Sequence, residues 1–109
     1  MKLMTKEIEE KFEKAKLYSK EGQGFDAEVV VKYFNPYGRG TWIITEGKKQ
    51  GNGDWMLFGF CHIFEWEWGY VMLSELEDIG FLERDLYIED KAKVKDLVPR
   101  EELERLYAE

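Results

Sequence analysis

Residues 55–77 read WMLFGFCHIFEWEWGYVMLSELE, and the way this stretch divides decides the fold. Seven of the sixteen residues from Trp55 to Tyr70 are aromatic, a composition that favours extended chain over helix. "WMLFGFCHIF" is therefore expected to be one strand and "GYVML" the next, with "EWEWG" as the turn between them. Ser74 and Glu77 then stand at capping-box spacing, so "SELEDIG" should be a short helix stopped by Gly80.

Working outward, "KKQGNGD" (48–54) is a hairpin loop, because Gly51 and Gly53 suit backbone positions with positive φ. Before it, "TWIITEG" reads as a strand, and "NPYGRG" (35–40) as a turn opened by Pro36. "FDAEVVVKYF" places Ala27, Val29, Val31 and Tyr33 on one face, which makes a further strand. At the N-terminus Thr5 can cap a helix whose apolar positions are Met4, Ile8, Phe12 and Ala15, and "SKEGQG" (19–24) ends that pattern. Downstream, "ERDLYIE" is a candidate fifth strand. Pro99 fits the first position of a last helix, with Glu101 and Glu102 in its first turn and Leu103, Leu106 and Tyr107 as its apolar stripe. The expectation is an α+β fold: an antiparallel four- to five-stranded meander sheet with an N-terminal helix, a short helix after strand four and a C-terminal helix. No repeat or low-complexity linker divides the chain, so residues 1–109 are expected to form a single domain.

A chain of 109 residues buries roughly 65% of its unfolded surface, enough for a core without staples. With 44% hydrophobic residues it has the apolar material to build one. The opening "MKLMTKEIEE" is charged from its second residue, and no run approaches the roughly 20 apolar residues of a membrane helix. One cysteine forms no internal disulfide, so a cytoplasmic location away from membranes is expected.

The net charge of −7 is unevenly distributed. Residues 61–90 hold nine acids and one base, Arg84, whereas residues 1–20 carry six lysines against four glutamates. Phosphate contacts need a basic surface, so direct nucleic-acid binding is disfavoured and a basic protein surface is the favoured partner.

Several chemistries can be weighed. Cys61 and His62 are adjacent, and neighbours on a strand point to opposite faces, so neither serves the other as nucleophile and base. One cysteine and one histidine also fall short of a four-ligand zinc site. "GKKQGNGD" precedes an apolar strand rather than a helix, unlike a phosphate-binding loop. Glu46 with Asp54, or Glu65 with Glu67, could approach as carboxylate pairs, but solvated hairpin ends are the simpler reading. No catalytic residue, metal site or cofactor is expected. The expected site is instead a partner-binding surface of Glu65, Trp66, Glu67, Trp68, Glu75, Glu77 and Asp78. Tryptophans alternating with glutamates at a hairpin tip have the composition of an interface anchor with a charged rim. The other reading, in which the tip folds back and both rings close the core, stays open.

"LMTKEI", "FNPYGRGTWIITEG", "GDWMLFGF", "GYVMLSELE" and "ERDL", in that order over residues 3–88, resemble the family catalogued as domain of unknown function 2958. The resemblance implies a small protein of plasmids, phages or conjugative elements, working in a host bacterial cell. It carries no functional residue across. The chain departs from the resemblance at Trp66, where a smaller residue is expected. Such a setting implies an accessory role, and an anti-CRISPR inhibitor of an effector nuclease is the leading expectation. A factor binding nucleic acid through Lys2, Lys6, Lys11, Lys14 and Lys16 is the second, and a hydrolase with an acidic metal site the third.

Overall fold

Trp42, Ile43, Ile44 and Thr45 are aromatic or β-branched in succession and all are buried, the pattern of a strand covered on both faces. In the computed structural model, which describes residues 1–15 and 22–108, they lie in the central strand. The elements are α1 (Lys6–Lys14), β1 (Val31–Phe34), β2 (Thr41–Lys49), β3 (Trp55–His62), β4 (Trp66–Met72), α2 (Leu73–Ile79), β5 (Glu83–Arg84), α3 (Val94–Leu97) and α4 (Arg100–Ala108). They form an α+β fold around one antiparallel sheet of order β4-β3-β2-β1-β5. Strands one to four are a meander. β5 is shorter than the span 83–89 expected of it, and it crosses back to pair with β1, Tyr33 against Arg84 and Phe34 against Glu83.

Side chains alternate across a strand, so the two faces carry different cores. On the first face Val31, Tyr33, Trp42, Ile44, Trp55 and Leu57 meet Ile8 and Phe12 of α1 and Leu73 and Leu76 of α2. On the second, Ile43 and Phe60 meet Ala27, Val94 and Val98, with Phe25, Leu97, Leu103 and Leu106 packed around them. The alternation expected from Ala27 to Tyr33 is broken. Ala27 and Val29 serve the second core and Val31 and Tyr33 the first, because the chain bends at Val30 before β1 begins.

β2 carries a bulge between Ile44 and Glu46, which lets Glu46 rather than Thr45 stand opposite Phe58. Beside this irregularity the backbones approach closely. A Cβ on Gly59 would lie 2.0 Å from the Ile43 carbonyl oxygen. One on Gly47 would lie 2.9 Å from both Leu57 and the Phe12 ring, so glycine there lets α1 rest on β2.

Thr5 caps α1 as expected, while Pro99 stands one residue before α4 rather than at its first position. Thr5 Oγ1 accepts from the Ile8 N–H at 3.2 Å, and the Pro99 carbonyl accepts from Glu102 and Leu103 at 3.0 and 3.1 Å. The Tyr33 hydroxyl donates to the Leu3 carbonyl at 2.7 Å, and Arg84 Nε donates to that of Lys2 at 2.7 Å, fixing the first residues against β1 and β5. Of the break expected at 19–24, residues 19–21 lie outside the described residues, and Gly22 and Gly24 take positive φ.

Candidate functional site

The β3–β4 hairpin turns earlier than its sequence implies. His62 pairs with Trp66, so the turn is Ile63, Phe64 and Glu65, and both tryptophans belong to β4 rather than to the tip. The reason lies in the rings. Pairing Phe60 with Trp68 and Phe58 with Tyr70 places every aromatic of both strands except Trp55 on the second face. Tyr70, Phe58, Trp68, Phe60, Trp66 and His62 then follow one another with ring centroids 4.9–5.7 Å apart. Phe25 lies across Phe60 and Trp68 at 5.0 and 5.7 Å, and Tyr107 of α4 sits edge-on to Phe25 at 5.5 Å. Each such pair contributes about 0.5–1.5 kcal/mol beyond area burial.

Trp66 and Trp68 are therefore half-buried and close the margin of the second core. The exposed rings of this region are others: Phe64 at the tip, 86% exposed, and Tyr70, 53% exposed. Neither was among the residues expected from sequence. The signal that points to them is a symmetry: Phe60 and Trp68, and likewise Phe58 and Tyr70, are equidistant from Phe64.

The acidic residues separate into two groups. Glu65 and Glu67 are exposed on the hairpin, and Glu75, Glu77 and Asp78 on α2. Glu83, Asp85, Glu89 and Asp90 belong to β5 and the segment after it, at the opposite edge of the sheet. There Lys32 stands 3.6 Å from Asp85. A run continuous in sequence is thus split by the width of the sheet.

Glu75 also has a structural task. Its Oε1 accepts from the Met72 N–H at 3.0 Å, so the capping pair is Met72–Glu75 rather than the expected Ser74–Glu77. The rest of the cap comes from 20 residues away. Asp54 Oδ1 accepts from the Trp55 and Ser74 N–H groups at 2.8 and 3.1 Å, and Oδ2 accepts from the Ser74 hydroxyl at 2.5 Å. The Ser74 hydroxyl, with the Trp55 and Ser74 amides, holds the Asp54 carboxyl below its ordinary value.

Glu46 and Asp54 do not form a site. Glu46 is 2% exposed opposite Phe58, with its side chain engaged, four residues along the strand from where Asp54 closes the loop. That separation is about 13 Å at ordinary strand rise. The expected hairpin forms with a shorter loop, residues 50–54, because Lys48 and Lys49 pair with Met56 and Trp55. The Gln50 N–H donates to the Asp54 carbonyl at 2.7 Å, and Gly53, at φ +88°, rather than Gly51 takes the positive angle.

Cys61 packs against the first core while His62 lies against Trp66 on the second face, so the two side chains point apart. Burial, reinforced by the nearby Glu67 charge, pushes the Cys61 thiol up to about 12. Among the described residues no three His, Cys, Asp or Glu side chains gather as a metal cluster, and no helix is long and apolar enough to cross a membrane.

Of the lysines considered for nucleic acid, Lys16 lies outside the described residues. Lys11 and Lys14 line an open groove of about 550 Å³ together with Glu28, Asp90 and Lys91, a mixed lining rather than a basic one.

No curated protein and no solved structure matches this chain. The model of the family described as "Protein of unknown function (DUF2958)" matches residues 3–100, from the segment fixed by Tyr33 to the start of α4, and the chain belongs to that family.

Proposed function

We propose that this protein acts by covering a basic surface of another protein, as an accessory factor of a mobile element or phage, and that its partner class is the CRISPR effector nuclease. The observation that carries the reading is the exposed acidic unit of the hairpin and α2. Residues 50–83 contain no lysine or arginine, and within them Glu65, Glu67, Glu77 and Asp78 are exposed, as are the rings of Phe64 and, in part, Tyr70. Effector nucleases hold guide and target in a positively charged channel. An acidic surface with aromatic anchors complements such a channel or its mouth, and the reading asks no chemistry of the chain. The resemblance to a family of plasmid and phage proteins supports the setting.

The test is a titration of the purified protein into cleavage reactions of a panel of CRISPR nucleases, with gel shifts on single- and double-stranded DNA in parallel. Inhibition that saturates near one equivalent, lost when Glu65, Glu67, Glu77 and Asp78 are changed to lysine, is the expected result. A shift of free DNA at low salt with no nuclease inhibited would favour nucleic-acid binding through the α1 lysines instead.

A further inference from the structure

We propose that the outer edge of β4 takes an extended segment of a basic partner as an added strand, a mode of contact that rests on the acidic-surface reading above. β4 is the terminal strand of the sheet and seven residues long, so alternate N–H and C=O groups from Trp66 to Tyr70 point away from β3, the Met72 N–H being taken by Glu75. Proteins commonly blunt such edges with lysine, proline or a bulge. β4 has none of these, its register with β3 is unbroken, and a Cβ on Gly69 would meet nothing within 4 Å.

The two faces beside this edge differ, and that fixes the chemistry of the incoming strand. Toward the first face lies Glu67, and at the strand's other end Glu75 of α2 reaches the Met72 N–H, so a carboxylate stands at each end of the edge. Toward the second lie Trp66, Trp68 and Tyr70, the last more than half exposed. Side chains of an added strand alternate between the same two faces. The matching sequence therefore alternates basic residues, for the acidic face, with β-branched or aromatic residues that extend the ring ladder. Charge selects against the other candidate for the edge, a second copy of this chain, which would bring one acidic unit up to another.

A terminally blocked octapeptide of alternating lysine and valine is the probe, titrated into 15N-labelled full-length protein. Chemical-shift changes and at least tenfold slower hydrogen exchange at alternate amides of residues 66–70 are expected. The same peptide N-methylated throughout keeps its charges and loses its donors, and it should bind at least tenfold more weakly, as should an alternating glutamate–valine peptide. Equal binding of the N-methylated peptide would overturn edge pairing while leaving the acidic surface in place. Changes confined to β5 or the 85–91 segment, no binding at low salt, or a dimer whose β4 amides are protected without peptide would each overturn it too. Binding at β4 with no nuclease inhibited would remove the proposed partner class and leave the edge site standing.

Discussion

At Gly59 and Gly69, cross-strand partners in the same hairpin, one added methyl group should have opposite consequences. Alanine at 59 drives its Cβ into the Ile43 carbonyl, with backbone on the other side that cannot give. Alanine at 69 enters open space in a strand. Gly59→Ala should cost about 3 kcal/mol or more, a large part of a stability of about 5–15, whereas Gly69→Ala should melt within a few degrees of the parent. Calorimetry of the two variants checks both. Cys61 supports a second prediction. With its thiol held near 12, native protein at pH 8 should react with iodoacetamide at least tenfold more slowly than protein unfolded in urea, and equal rates would mean the thiol is not held in the first core. The tryptophans give a third. As half-buried rings closing the second core, Trp66→Ala and Trp68→Ala should each lower stability by about 2 kcal/mol, less than the 3–5 of a fully buried ring. Melts indistinguishable from the parent would return both rings to the anchor role expected of them from sequence.

Among the elements, α2 depends on a residue outside itself. Asp54 closes the β2–β3 loop with its backbone and caps α2 with its carboxylate, so loop and helix should loosen together when that carboxylate is lost. Its folded value is depressed, so the stabilisation is fully present above its unfolded value near 4 and drains away as pH falls through the lower folded value. Asp54→Ala should therefore melt a few degrees below the parent at pH 6, with the gap narrowing toward pH 2.5. A gap independent of pH would mean that the charged form does not matter. The same element shows what local sequence reveals. α1, α4 and both glycine-bearing loops were legible because each is specified by neighbours: Thr5 three residues before Ile8, Pro99 before two acids, Gly53 within a four-residue turn. The α2 cap was not, because Ser74 meets a carboxylate 20 positions earlier. Nor was the turn at 63–65. Phenylalanines and tryptophans alternate on both sides of it, so more than one turn position satisfies the pattern until Phe25 and α4 select the face the rings must occupy. The return of β5 to β1 is a similar case, since its partner lies some fifty residues upstream and two paired residues leave almost no periodic signal. α3, four residues long, left none either.

Over the whole molecule, the charge distribution makes association depend on salt in a predictable way. With Glu75 left in place to cap α2, reversal of Glu65, Glu67, Glu77 and Asp78 to lysine should mainly reduce the association rate for a basic partner. The loss should shrink as ionic strength rises past the physiological range, where the Debye length is about 8 Å. Stopped-flow measurements in a salt series check this, and an effect confined to dissociation would place these acids inside a desolvated contact instead. The arrangement of the two cores also bears on the order of events during synthesis. Ile43, Phe60, Trp66 and Trp68 are covered in part by Phe25, Ala27 and Val29, but also by Val94, Val98, Leu103 and Leu106, which follow the last long strand in the chain. At translation rates of about 5–20 residues per second, the interval from Met72 to Leu106 lasts roughly 2–7 s. For those seconds the nascent sheet has α1 on one side and only partly covered aromatic rings on the other, beside an edge with no lysine, proline or bulge to blunt it. A newborn chain thus exposes its stickiest surface just before it acquires the means to hide it, and holdase chaperones that bind such surfaces have a window of seconds in which to act.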